Sequence, residues 1–161
     1  YVEGGHVDVN NSTIAQFYPF DGNRRSAIGF KAPIDTLDVR NSLVTGYGND
    51  EVLWTPGEEE PLKFSFDSCV LRTEKMMTED SLRFTHVVYE DVKDTTMYGE
   101  KHFSVFDTEN LIYDFHLSAK SAAIGAADPK TALPYDRNGL KREEDKADAG
   151  CFLYREEKKE E

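Results

Sequence analysis

The residues predict a mainly β chain, a single-domain antiparallel β-sandwich of immunoglobulin-like or jelly-roll-like type with little helix. Three observations carry that expectation. Apolar residues recur at period two, as Leu111, Tyr113, Phe115 and Leu117 do. Turn-rich breaks at Asp21-Gly22-Asn23, Gly46-Tyr47-Gly48-Asn49-Asp50 and Pro56-Gly57-Glu58-Glu59-Glu60-Pro61 cut the chain into short pieces. The 10 Phe and 8 Tyr favour pleated, half-buried surfaces.

Taken in order, the candidate strands are Ala27–Phe30, Thr36–Val39, Val52–Trp54, Leu62–Phe66, Val70–Arg72, Leu82–Tyr89, His102–Phe106, Leu111–Leu117 and Cys151–Tyr154. Leu82–Tyr89 begins in alternation and slips phase at Val87-Val88, as a bulge or a strand buried on both sides would produce. Helical signal is weak. Ser118–Ala127 is Ala-rich but interrupted by Gly125, and Leu140–Ala149 is too polar to bury a stripe. No internal repeat is evident. The expected organisation is a sandwich body over 1–136, a charged linker or short helix over 137–150, a C-terminal strand over 151–155 and a disordered tail over 156–161.

At 161 residues the chain suffices for one domain with a real core. Its 31 acidic and 19 basic side chains give a net charge of −12. Residues 137–161 hold 8 of the acids and 7 of the bases, so the negative charge belongs to the body before them. Such a body repels phosphate backbones and anionic lipid, which argues against nucleic acid as a partner. No apolar run reaches membrane length.

Cys69 and Cys151 are the only cysteines, too few for a structural zinc site and too far apart for a C-x-x-C pair. The even count is read as one long-range disulfide, the alternatives being inert buried thiols or a Cys69 nucleophile beside His86 or His116. Asn10-Asn11-Ser12-Thr13 contains two overlapping glycosylation sequons, at Asn10 and Asn11. With the disulfide, and a first residue Tyr1 with no signal peptide after it, they lead to the expectation of a secreted protein.

Candidate ligand groups fall into three sets. Asp21/Asn23 and Asn49/Asp50/Glu51 supply carboxylate and amide oxygens on glycine-bearing turns, as a calcium site requires, and Glu58–Glu60 adds a third acidic cluster. Trp54 and Tyr47 offer flat aromatic surface of the kind that stacks on sugar rings, although core packing is the commoner use of Trp. His86, His102 and His116 lie on candidate strands near Asp107 and Asp114, and would make a transition-metal site only if those strands converge; His6 stands apart. Serine-elbow, Walker and dinucleotide-binding motifs are all missing from the sequence.

The run Leu62-Lys63-Phe64-Ser65-Phe66-Asp67-Ser68-Cys69, followed by Ser81-Leu82-Arg83-Phe84-Thr85, resembles part of a zona pellucida-type module. Leu111–Leu117 is similar to a later strand of that module, and Lys141-Arg142 with Arg137 upstream is similar to its processing site. The resemblance covers about a third of the chain and implies an immunoglobulin-like sandwich that polymerises into extracellular filaments. The chain departs from that family in having two cysteines where its N-terminal half alone carries four, and Val70-Leu71 after Cys69.

The first functional expectation is a non-enzymatic extracellular interaction or assembly module that self-associates by strand addition through Val7-Asp8-Val9 or Cys151–Tyr154. The second is a carbohydrate- or calcium-binding module centred on Trp54 and Asn49/Asp50/Glu51. A glycoside hydrolase on the same scaffold ranks third.

Overall fold

The computed structural model describes residues 1–18, 20, 25–57, 62–74 and 83–156. Asp21, Asn23 and Glu58–Glu60 lie outside the described residues. The chain is mainly β, but its principal sheets are parallel, which overturns the antiparallel sandwich.

The strands follow one another in rungs. The first rung holds β1 (Val2–Glu3), β2 (His6–Asn10) and β3 (Thr13–Gln16). The second holds β4 (Ile28–Lys31), β5 (Thr36–Arg40) and β6 (Leu43–Gly46), and the third β7 (Val52–Thr55), β8 (Phe64–Asp67) and β9 (Val70–Leu71). A shorter fourth rung has β10 (Phe84–Thr85) and β11 (Val88–Tyr89). Each strand pairs in parallel with its counterpart one rung away, giving the orders β1-β4-β7, β10-β8-β5-β2 and β11-β9-β6-β3. That is a parallel β-solenoid. Two further strands, β12 (Phe103–Asp107) and β13 (Ile112–Leu117), form an antiparallel hairpin after a 3₁₀ turn at Tyr98–His102.

Parallel in-register pairing puts like residues over like. Val7, Leu37 and Phe64 form one inward column, and Val9, Val39, Phe66 and Phe84 the next. Phe30 stacks on Trp54 and Phe66 on Phe84 with ring centroids 5.9 and 5.4 Å apart, close to the spacing between neighbouring strands. The middle rungs are sealed: Phe30, Leu37, Val39, Phe66 and Leu71 are at most 1% exposed.

The corner between the second and third sheets repeats a chemical device. Asn11, Asn41, Ser68 and His86 all adopt left-handed backbone, with φ of 43°, 51°, 53° and 52°. Asn tolerates that region better than other side-chain-bearing residues, which fits it to a sharp corner. The next residue closes the corner. The Ser12 and Ser42 hydroxyls donate to the carbonyls of Asn10 and Arg40, two residues back. Cys69 occupies the same place in the third rung, its thiol 3.3 Å from the Asp67 carbonyl.

Residues 118–156 wrap the outside of the sheet containing β6 and β9. Ala123, Ala127, Ala147 and Ala149 form a second apolar cluster with Leu43, Val70, Phe103 and Leu117. The weak helical signals come to nothing: 118–127 is a series of turns, and 140–149, expected as a charged linker or short helix, is irregular chain with isolated bridges. Buried polar groups hold it. Asp136 accepts from the backbone N–H of Asn138, Leu140 and Leu153, and Arg142 donates to the carbonyls of Asp148 and Gly150. Cys151–Tyr154 is not a strand.

Candidate functional site

A groove of about 560 Å³ runs over β4 and β7 and the turns that lead into them. Its apolar surface is Tyr1, Leu53 and Trp54, and its polar rim includes Arg25, Ser26 and Asp50. Sequence register builds it. Gly29 faces outward between the inward Ile28 and Phe30, and the Tyr1 ring lies over it: a Cβ there would come within 2.9 Å of Tyr1 Cδ2. One rung on, Leu53 projects outward and is 48% exposed. Trp54 turns inward to pack on Phe64, with centroids 5.1 Å apart, and presents only part of its ring to the groove.

Of the expected acidic site residues, Asp50 and Glu51 are brought to this groove, with both Glu51 oxygens and one Asp50 oxygen already engaged. Glu51 is 1% exposed; its Oε1 accepts from Gly48 N at 2.6 Å and its Oε2 from Ala27 N at 2.8 Å. Asp50 Oδ1 accepts from the Thr73 hydroxyl and from Glu74 N. These carboxylates staple consecutive rungs together, and Asn49 is exposed beside them. Among the described residues no three His, Cys, Asp or Glu side chains converge to hold a metal ion.

Tyr47 lies away from the groove. Its hydroxyl pairs with Glu100 Oε1 at 2.5 Å, and its ring meets the edges of Phe17 and Tyr98. The four histidines do not converge. His6 pairs with Thr36, exposed His86 with Asp67, and His116 with Asp114 at 2.5 Å while stacking on Phe152. Asn138 closes the other edge of the His116 ring, its Nδ2 2.7 Å from Nε2.

His102 sits in a chain of buried polar groups that the sequence did not single out. Arg72 lies 3.4 Å from Glu90 Oε2; Glu90 Oε1 lies 3.0 Å from His102 Nε2, and His102 Nδ1 lies 3.0 Å from Ser121 Oγ. The order of groups is that of a nucleophile, base and acid, but the Arg72, Glu90 and His102 side chains are at most 1% exposed. Burial pushes the Glu90 carboxyl up, and the His102 and Arg72 contacts outweigh it, leaving it below its usual value. The chain therefore fastens the third and fourth rungs to the wrap.

The two cysteines are free thiols, which corrects the expected disulfide. Cys69 faces the solenoid interior, whereas Cys151 lies on the outer wrap, its backbone N–H bonded to Thr13 Oγ1. Burial pushes the Cys69 thiol up to about 12, so it is a poor nucleophile as well. Of the sequon residues, Asn11 is 5% exposed with its amide bonded to Asp148 O and Leu133 N. The Asn10 amide is bonded to Thr131 O and to Asn41.

No helix among the described residues is long and apolar enough to cross a membrane. Comparison with protein-family models, curated proteins and solved structures gives no match.

Proposed function

We propose that the chain is a non-enzymatic binding module that takes a glycan in the groove over β4 and β7. The observation that carries this reading is the pairing of an apolar floor, exposed Tyr1 and Leu53 with half-buried Trp54, with a polar rim. Sugar rings present apolar C–H faces and hydroxyl edges, and such a groove complements both. A volume of about 560 Å³ lies within the range of ligand-binding clefts. The non-catalytic part of the reading is supported by the commitments of Asp50 and Glu51. A glycosidase needs one carboxylate as acid and another as base or nucleophile beside the scissile bond, and here these groups hold backbone donors instead.

A glycan array tests the proposal. Wild-type protein is expected to retain a defined set of glycans, and Leu53→Glu, an outward substitution that spares the core, to lose them. Retention by Leu53→Glu and Tyr1→Ala alike would place binding elsewhere.

One observation favours a second reading, association by strand addition. β2 is the outermost strand of its sheet and contains Val7-Asp8-Val9. Asn11 N bonds Arg40 O and Gly5 O accepts from Asp35 N, so the alternate residues His6, Asp8 and Asn10 direct their backbone groups to the outer side. Asp8→Pro removes one outward N–H and leaves the inner ladder whole. In sedimentation velocity, concentration-dependent association lost in that variant would support this reading, and a monomer throughout would end it.

A further inference from the structure

Among the described residues that line the groove, one charged side chain has no partner, and its sign is unexpected for so acidic a chain. Arg25 is exposed on the rim and makes no hydrogen bond or ion pair with any described residue. Its neighbours are committed: the Ser26 hydroxyl donates to Ile28 O, and Asp50 and Glu51 accept from the chain as described above. The nearby Lys31 is paired with Glu3 at 2.9 Å. The groove thus offers an incoming ligand apolar surface, two carboxylates that already hold donors of the chain, and a guanidinium fork to which no described residue is bonded.

We infer that the groove selects an anionic glycan, with a sugar carboxylate or sulfate seated on Arg25 and the ring faces on Tyr1 and Leu53. This rests on the glycan-binding reading and adds the class of sugar. A guanidinium binds such oxyanions through two parallel N–H donors, a geometry that a hydroxyl cannot match. The net charge of −12 does not reverse the choice. Charges more than about 8–10 Å from the site are screened at physiological salt, so the local groups decide. Asp50 and Glu51 are local and repel an anion, which leaves Arg25, among the described residues that line the groove, to carry the preference. Removing it should therefore invert the preference rather than merely weaken it.

The test uses matched tetrasaccharides of the glucose, galactose and mannose series, each as the neutral sugar and as its uronate, titrated calorimetrically into the wild-type protein. An exposed guanidinium–carboxylate pair multiplies affinity by roughly 1.5- to 5-fold. The uronate of at least one series is expected to bind about that much more tightly than its neutral partner. Arg25→Ala should then favour the neutral sugar, and Arg25→Lys should keep a reduced preference for the acid. Equal or tighter binding of the neutral sugars by wild type would overturn the inference while leaving the glycan reading standing. So would an acid preference that survives in Arg25→Ala. No heat with any of the six sugars would count against both. Repeating the titration with a sulfated tetrasaccharide distinguishes sulfate from carboxylate as the preferred acid group.

Discussion

Asn41 is the position where the solenoid corner and the wrap depend on one side chain. It is 0% exposed and has a φ of 51°. Its Nδ2 donates to Asn10 Oδ1 at 3.0 Å and to Thr131 Oγ1 at 3.1 Å, and its Oδ1 accepts from Asp128 N at 2.8 Å. Asn41→Ala leaves an alanine in left-handed backbone, which costs about 1–2 kcal/mol. It also strips the Asp128 N–H of its acceptor in a part-buried site, a further loss of about 1–3 kcal/mol. A total near 3–4 kcal/mol is a large share of a typical domain stability of about 5–15 kcal/mol. In urea, with a slope of about 2 kcal/mol per molar, the midpoint should fall by roughly 1.5–2 M. Asn41→Gly separates the two contributions, because glycine accepts the backbone but lacks the amide, and should recover about 1 kcal/mol. A loss below 1 kcal/mol for Asn41→Ala, or glycine worse than alanine, would refute the corner argument.

Three further outcomes follow from the same contacts. Native protein should react with a thiol reagent at no more than one cysteine, the half-exposed Cys151, and at two after denaturation; Cys69→Ser, whose hydroxyl can donate to the Asp67 carbonyl as Ser12 and Ser42 do to Asn10 and Arg40, should cost less by chemical unfolding than the roughly 1–3 kcal/mol of an unpaired buried hydroxyl. Glu90→Ala should destabilise by about 3–5 kcal/mol in the same assay, because it leaves Arg72 and His102 buried without their shared partner. Burial raises the Asp136 carboxyl, but the N–H groups of Leu140, Leu153 and Asn138 outweigh it and hold it below its usual value. A carboxyl depressed in the folded state contributes stability that is present above its unfolded value near 4 and is lost as pH falls through the folded one. Unfolding free energy should thus hold down to about pH 5 and drop below about pH 4, less steeply in Asp136→Asn; an unchanged acid limb in that variant would contradict the assignment.

Much of the strand content was legible, because alternation at period two reports a strand whatever its partner. Thr36–Arg40, Val52–Thr55 and Ile112–Leu117 fall close to where the pattern places them. Pairing was not legible, since an inward apolar face looks the same in a sandwich and in a solenoid rung. The repeat was nevertheless written in the chain. Val7-Asp8-Val9-Asn10-Asn11-Ser12 and Leu37-Asp38-Val39-Arg40-Asn41-Ser42 are one corner motif, paired residue for residue through Asn10 and Arg40. Loop insertions hide it: 30 positions separate Val7 from Leu37, 27 separate Leu37 from Phe64, and 18 separate Phe66 from Phe84. The phase slip at Val87-Val88 was a real signal, and its cause is the left-handed corner at His86 rather than a bulge. Cys69 was read by counting cysteines, when its alignment with Ser12 and Ser42 explains it. Trp54, Asp50 and Glu51 line one groove and are close enough in sequence for spacing to group them. Tyr1 and Arg25 reach the same groove only through the register of stacked rungs, which spacing along one strand does not reveal.

The most direct test of the glycan groove uses the chain's single tryptophan, which lines it. Titrating the neutral and uronate tetrasaccharides while following Trp54 emission should give a saturable change with at least one of them, absent in Leu53→Glu at unchanged thermal stability. A flat response to every sugar, or the same saturable change in Leu53→Glu, would contradict the account.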